Sequence, residues 1–519
     1  MKGASMRWSR RITNFLIRAT AATVFVSACG GPGAEPPPKA AVPPADASTE
    51  AGAPAAIDPL GSRPEVPMPA PYTPPVPVSY TRSNGMKVWL LERHALPIVS
   101  MQIVVAAGSG LDFAGKEGLA YATANMLDEG AGKRGALDIA RDIDQLGAAL
   151  TTGAFVDYSF VELTSLKKNL EPAALILGDV VTKPTFSLVE WKRVHDLWEN
   201  ELRARQSNPH AVASVVAQRL VFGPSHSYGH PTSGTKKSAA NVGLSDVMRF
   251  YKEMWRPEAA TCVVVGDITQ SELDSLLDKA LPAWTSHPNE KSGGKRDKRD
   301  VQNVAPPNAS DRRRVVVVDR PDAPQSVIGV ARRSVSASDA NAPLLARVNG
   351  ALGGSFTSRL NQDLRESRGY SYGARSRFLF MALQGMFAAE AAVQVEHTGD
   401  ALKAMLGDIE DFAHSGLTNE EESKTRMLAR AELVEAYETV EATARRLGRI
   451  AGVGLPPEAD ALASKLMYNA TKQDLSALAN QYIDVTSGIV VIVGPRAKIE
   501  PQLKAIGIAS IDSVGPEGE

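Results

Sequence analysis

Histidine and cysteine are the side chains that most often hold a metal or form a covalent bond, and here they are few, eight His and two Cys in 519 residues. His226 and His230 stand four apart, a spacing that on a helix would put two imidazoles on one face. Pro224, Gly229 and Pro231 interrupt that segment, so no helix and no metal site are expected there. Cys262 lies in the run Thr261-Cys262-Val263-Val264-Val265, where a cysteine acts as a small buried hydrophobe in a strand. Neither Cys has another Cys or His at ligand spacing, and two in so long a chain make no disulfide framework. No Ser-rich or His-bearing segment is expected to form a nucleophile elbow, and Walker and dinucleotide fingerprints are absent from the sequence.

Cys29 is different because it ends a leader. Arg7, Arg10, Arg11 and Arg18 form a positive region, and residues 19–28 are small and apolar, too short a stretch to span a bilayer as a mature helix. Val26-Ser27-Ala28-Cys29 resembles a bacterial lipobox, in which the Cys becomes a lipidated N-terminus after cleavage. At about 0.8 kcal/mol per buried methylene, several acyl chains on one Cys anchor a protein stably. Gly30, rather than Asp, follows the Cys, which by resemblance to lipoprotein sorting rules points to the cell envelope, at the outer membrane facing the periplasm. Ser9-Arg10-Arg11 has the look of a twin-arginine signal, but Ile12-Thr13-Asn14 fits it poorly. Residues 1–29 are thus expected to be signal peptide and lipobox. Residues 30–78, dominated by Pro, Ala and Gly with Pro36-Pro37-Pro38 among them, are expected to be a disordered, partly extended tether.

What remains is ordinary globular sequence, 44% hydrophobic and 22% charged over the whole chain. The 57 basic and 58 acidic residues nearly cancel, which removes the electrostatic footprint of a nucleic-acid binder. Residues 287–313, with Lys291-Ser292-Gly293-Gly294-Lys295 and Pro306-Pro307, read as a linker between domains at 79–286 and 314–511. The two domains repeat one another. Val88-Trp89-Leu90-Leu91-Glu92-Arg93 returns as Val315-Val316-Val317-Val318-Asp319-Arg320, Pro97 as Pro324, and Cys262-Val263-Val264-Val265-Gly266 as Val490-Val491-Ile492-Val493-Gly494, at a nearly constant separation. Residues 88–92 and 98–106 are predicted strands, residues 155–163 alternate again, and residues 119–126, 139–150, 170–181, 194–205 and 245–255 carry helical periodicity, with Ser245 a candidate N-cap. The predicted fold class is α+β: two homologous halves, each an antiparallel β-sheet with helices on one face, together forming a clamshell.

The chain from about residue 78 to 506 resembles the insulinase and pitrilysin family of zinc peptidases, in the branch of the mitochondrial processing peptidase. The residues that carry the likeness are Ala106-Ala107-Gly108-Ser109, Gly118-Leu119-Ala120, Tyr228-Gly229-His230-Pro231, Gly234-Thr235, Gly266-Asp267 and Leu352-Gly353-Gly354-Ser355-Phe356-Thr357-Ser358-Arg359-Leu360, in that order. In active members the helix after Gly-Leu-Ala carries His-x-x-Glu-His, two zinc ligands with the general base between them. Here Tyr121 and Asn125 stand where the imidazoles belong and Ala124 where the base belongs. Glu201 matches the third ligand position, but one carboxylate does not hold a catalytic zinc, and its expected role is surface or intrahelical pairing. Leu364-Arg365-Glu366-Ser367-Arg368-Gly369-Tyr370-Ser371-Tyr372 resembles the family's substrate-facing Arg and Tyr, which nominates Arg365 and Tyr372, with Gly353 and Gly354 as a substrate-receiving loop. Guanidinium and phenol donors there would hold a peptide and stabilise an oxyanion.

The resemblance therefore implies a non-catalytic subunit of an envelope zinc endopeptidase. It would contain no cofactor itself, the zinc belonging to a catalytic partner with intact His-x-x-Glu-His. Peptides would be substrates, lipidated Cys29 would tie it to the membrane, and nucleic acid would not be a ligand. The competing expectation is a scaffold or interaction lipoprotein on the same fold, which has no chemical need for Arg365 and Tyr372.

Overall fold

The computed structural model describes residues 70–282, 284–285 and 313–519. The leader, Cys29 and most of the tether therefore lie outside the described residues, as does the linker apart from Arg313. Residues 70–77, expected to belong to the tether, are instead packed: Tyr72 lies against Tyr437 with ring centroids 6.5 Å apart, its carbonyl accepts from Ser464, and the Ala70 carbonyl accepts from Arg430 at 2.7 Å.

The first half contains β1 (Val78–Thr81), β2 (Lys87–Glu92), β3 (Ile98–Val105), β4 (Ala149–Ala154), β5 (Ser159–Leu166) and β6 (Ala260–Gly266), in the sheet order β1-β2-β6-β3-β5-β4. Its helices are α1 (Leu119–Met126), α2 (Ala136–Gln145), α3 (Leu170–Thr182), α4 (Leu188–Ser207), α5 (Pro209–Phe222), α6 (Leu244–Met254) and α7 (Gln270–Ala280). The second half contains β7 (Arg314–Asp319), β8 (Gln325–Ser334), β9 (Ser371–Leu379), β10 (Gly385–Gln394), β11 (Ile489–Gly494) and β12 (Asp512–Ser513), ordered β9-β10-β8-β11-β7-β12. With it come α8 (Ala342–Leu352), α9 (Thr398–Ser415), α10 (Asn419–Ala436), α11 (Val440–Gly452), α12 (Ala459–Asn469), α13 (Lys472–Tyr482) and α14 (Arg496–Ala505).

The repeated strings occupy equivalent places. Val88 pairs with Cys262 across β2 and β6, and Val315 pairs with Val490 across β7 and β11. Both pairs run parallel, so each sheet is mixed and not wholly antiparallel. A strand that returns after a long helical excursion can enter beside its predecessor in the same direction. The second domain also runs past residue 511, because β12 pairs with β7.

Several local expectations shift. The helix predicted over 139–150 ends at Gln145, and the Gly147 turn (φ 59°) starts β4 at Ala149. The helix predicted to start at Ser245 is capped earlier, the Asp246 carboxylate accepting from the Gly243 N–H at 2.8 Å. Sequence periodicity left α5 unassigned, although its start is encoded by Asn208, whose side chain accepts from His210 N and Ala211 N, and by Pro209 at the first position.

That helix proves central. Helices of the first half pack on one sheet face around Val88, Val264 and Leu177, and the opposite face, with Trp89, Val263 and Val265, is covered by Val440, Ala444, Leu447 and Ile450 of α11 from the second half. Reciprocally, Val212, Ala213 and Val216 of α5 cover Val316, Val327 and Val491 of the second sheet. Burial on both faces explains why the central strands β6 and β11 are nearly continuous apolar runs. The two halves of the expected clamshell are thus held together by two exchanged helices. A buried polar junction adds to them: Tyr228 donates to Asp157 at 2.5 Å, and the two side chains accept from the backbone N–H groups of Leu383 (3.1 Å) and Ala382 (2.9 Å).

Candidate functional site

Helix α1 begins at Gly118, whose φ of 97° suits glycine and whose missing Cβ leaves room for Trp198, 2.6 Å from where that atom would lie. The Asp112 carboxylate receives the N–H groups of Gly118 and Ala120 at 2.6 and 2.7 Å, fixing the first turn. Against it lies α4, whose apolar stripe Trp191, Val194, Trp198 and Leu202 faces the core and leaves Glu201 directed at α1. The Tyr121 hydroxyl donates a short hydrogen bond to Glu201 Oε2, and the Tyr121 and Trp198 ring centroids are 6.2 Å apart.

Glu201 is therefore not a surface residue: its hydrogen-bond partner is on the neighbouring helix, a phenol long enough to reach the acid, and the expected intrahelical pairing survives only as the charge of Arg205 one turn on. Burial raises its carboxyl pKa, opposed by the Tyr121 hydrogen bond and by Arg205 one turn on. Arg205 donates to Ser233 Oγ (2.9 Å) and the Gly234 carbonyl (2.8 Å). Ala124 is buried and has no donor to offer, and Asn125 is half-buried. Zinc does not fit these residues: of the three ligand positions one is a phenol, one an amide, and the remaining acid is already engaged. Among the described residues no group of three or more His, Cys, Asp or Glu could hold a metal ion.

The two histidines with helical spacing lie in irregular chain. His226 Nδ1 accepts from the Tyr228 N–H at 2.9 Å, and burial lowers the pKa of His230. Cys262 is fully buried, and burial pushes its thiol up to about 12.

In the second half, the nominated residues gather around β9. Gly353 ends α8 with its carbonyl accepting from the Ser376 N–H at 3.0 Å, and a Cβ there would lie 2.4 Å from the Ser376 hydroxyl. Asn349 and Ser376 lock this approach, exchanging hydrogen bonds of 2.6 and 2.8 Å. Gly354 stays exposed, and two residues on the loop carries exposed Phe356 to Arg365, whose guanidinium lies 4.5 Å from the ring centroid. Arg365 sits in a π-helical turn, Gln362–Ser367, a geometry common at functional sites, and its other neighbour is Glu366 at 3.3 Å. Gly369 (φ 65°) turns the chain into β9, where pairing with β10 shifts register between Ser371 and Ala374. The bulge turns Tyr372 outward, leaving it 88% exposed with no hydrogen bond among the described residues. Gly369-Tyr370-Ser371-Tyr372-Gly373 has the formal spacing of a nucleophile elbow, but Ser371 opens a strand and its hydroxyl donates to the Gly373 carbonyl at 2.8 Å.

The sequence reading missed the neighbouring charges. Arg375 and Arg377 alternate on β9 beside Glu390 of β10 and His210 of α5, the Arg-x-Arg spacing placing two cations on one face of the strand.

The model described as Insulinase (Peptidase family M16) matches residues 87–222, and that described as Peptidase M16 inactive domain matches residues 241–428. An uncharacterized zinc protease of Mycobacterium leprae is 24% identical over 436 residues, 80% of this chain and 91% of that protein. A non-peptidase homologue from Helicobacter pylori is 22% identical over 206 residues, 39% of this chain and 48% of that protein. The crystal structure of a peptidase M16 inactive domain from Pseudomonas fluorescens has the same fold, with a TM-score of 0.72 at 24% identity over 81% of this chain and 98% of that one.

Proposed function

The chain belongs to the insulinase family of peptidases, M16, and from that premise we propose that it is a non-catalytic, peptide-binding member that completes the active site of a zinc-bearing partner subunit. The observation that carries the proposal is the closed pair of Tyr121 and Glu201. Where an active relative would polarise water on a metal, this chain has a phenol bonded to a carboxylate and no base at Ala124. The names of the relatives divide in the same way, some being zinc proteases and one a non-peptidase homologue.

Arg365 and Tyr372 support the second part of the reading. Arg365 is only loosely tied, to Glu366 and the face of Phe356, and Tyr372 stands in solvent. Such donors are suited to groups brought by another molecule, the carbonyls of an extended peptide and the oxyanion formed when a partner's water attacks one. Gly353 and Gly354 set the loop beside them. The partner would supply the zinc, and this chain the orientation. The proposal also places the protein at the outer membrane, held by acylated Cys29, which would confine the pair to the envelope.

The test is zinc content and peptide hydrolysis by the purified full chain, alone and mixed with a family member carrying His-x-x-Glu-His. The chain alone should hold no stoichiometric zinc and cleave nothing. Activity should appear on mixing and fall at least tenfold with Arg365→Ala or Tyr372→Phe. Hydrolysis by this chain alone would sink the reading. Stable assembly without any gain in activity would favour the scaffold alternative.

A further inference from the structure

A small cavity of about 20 Å³, room for about one water, lies between α5 and the edge of the second sheet. Small residues leave it open: Ala213 and Ala217 on the helix, Gly329, Ala331 and Ala388 on the strands. Arg375 and Arg377 line it. Arg375 faces Glu390 across the strands and donates to it at 3.0 Å, and His210 donates to the same carboxylate through Nδ1 at 2.6 Å. Arg377 faces Ala388. Its guanidinium makes no hydrogen bond or ion pair among the described residues, and its Nε is buried without a partner. Arg333, on the next strand but one, donates to the carbonyls of Val221 and Phe222 and leaves Nη1 buried and unbonded, with no carboxylate partner among the described residues. Arg375 and Arg377 thus face one carboxylate, Glu390, whose hydrogen bonds go to Arg375 and His210.

A half-buried guanidinium that makes no hydrogen bond and shares its nearest carboxylate with a second arginine is costly, and proteins pair or hydrogen-bond such groups. Burial accordingly pulls the pKa of Arg377 below the ordinary arginine range. A guanidinium lining a cavity among small residues, with Nε buried and unbonded, is suited to an anion from outside the chain.

We infer that Arg377, with Arg375 beside it, is a subsite for a carboxylate of the bound peptide. The inference deepens the peptide-binding role proposed above and rests on it. Tyr372 is three residues from Arg375 and five from Arg377, and at 3.3 Å per residue an extended peptide passing Tyr372 would present its carboxylate about 10–17 Å further along. The carboxylate is that of an acidic side chain or of the peptide's C-terminus; both have the geometry that a guanidinium fork accepts.

Fluorescence anisotropy on the full chain separates these sources. Three labelled twelve-residue peptides are compared: one with a single Glu and an amidated C-terminus, the same with Gln, and the Gln peptide with a free C-terminal carboxylate. One of the two carboxylate peptides should bind about tenfold more tightly than the amidated Gln peptide, about 1.4 kcal/mol, and which one does so identifies the source. Arg377→Met should abolish that preference while leaving the affinity for the amidated Gln peptide unchanged, and Arg377→Lys should keep part of it. Equal binding of all three peptides by the unaltered protein would overturn the subsite and leave the peptide-binding role intact. A preference that survives in Arg377→Met would overturn the assignment to this residue, and failure of every peptide to bind would overturn both readings.

Discussion

Equivalent positions on the two sheets hold the same glutamate, Glu162 and Glu390, among opposite kinds of neighbour. In the first half Glu162 of β5 pairs across the strands with Gln102 and Thr151, and two residues earlier Phe160 faces Gly153. In the second half Glu390 of β10 pairs with Gly329 and Arg375, and two residues earlier Ala388 faces Arg377. The first half fills its position with a ring, Phe160 packing beside Phe155 and Tyr158 at centroid distances of 5.7 and 6.5 Å. Its glutamate is satisfied inside the molecule, by Arg445 of α11 at 2.9 Å and by Gln102 at 3.3 Å. The second half puts a cation over an alanine and leaves it without a hydrogen bond among the described residues. The same contrast separates Tyr121 and Glu201, closed on each other, from half-buried Arg365, loosely tied to Phe356 and Glu366, and exposed Tyr372. One copy of the duplicated unit has turned its polar groups inward, and the other keeps them available.

The largest expected effect comes from undoing the closure. Restoring the motif with Tyr121→His, Ala124→Glu and Asn125→His should free Glu201 and raise zinc from none to stoichiometric, measured by plasma emission on dialysed protein. If no zinc is gained, Glu201 is not a displaced ligand and the contrast at that site is only apparent. Next, Arg445→Met should cost about 1–2 kcal/mol in urea unfolding at neutral pH, a figure reduced for the exposure of that guanidinium, because it strands a buried carboxylate. Arg377→Met should do the reverse and stabilise by about 1 kcal/mol, since it removes a charge without a hydrogen bond among the described residues and keeps the aliphatic stem. Equal destabilisation by both would mean that Arg377 has an internal partner after all.

The smallest effect is the sharpest in sign. Burial raises the pKa of Glu162 even with Arg445 beside it, whereas at Glu390 burial is outweighed by His210 and Arg375 and the pKa is lowered. A raised carboxyl contributes stability that is fully present below its unfolded pKa, near 4.5, and is lost as pH rises through its folded value. A lowered one contributes stability present above 4.5 and lost as pH falls. Glu162→Gln and Glu390→Gln should therefore change the slope of unfolding free energy against pH in opposite directions between pH 3 and 7. Slopes that change in the same direction would erase the distinction between the two glutamates.

Much of this architecture is legible in the sequence. The repeated Val-rich strings occupy matching parallel strand pairs, and the altered residues of the metal motif sit on the expected helix. What escaped has a common physical cause. The cover of each sheet comes from the other half, so the partners of Glu162, Trp89 and Val491 lie far away along the chain and leave no local period. Helix α5 was hidden because buried Val212, Ala213, Val215, Val216 and Ala217 leave only a narrow polar stripe of His210, Ser214 and Gln218; Asn208-Pro209 was the clearer cue. The position of Glu201 was readable, but its bond to Tyr121 depends on the angle between two helices.

The exchanged helices α5 and α11 also set how the molecule is built and broken. Neither half by itself can cover both faces of its sheet, so a fragment ending at Thr285 would leave Trp89, Val263 and Val265 bare, and one beginning at Arg313 would bare Val316, Val327 and Val491. Such fragments would expose contiguous apolar surface and should aggregate when made separately. Made together they complement one another, each donating the helix the other lacks. The intact chain is therefore expected to melt in a single cooperative transition although it contains two copies of one unit. Duplication supplied two domains; reciprocal helix exchange made them one folding unit.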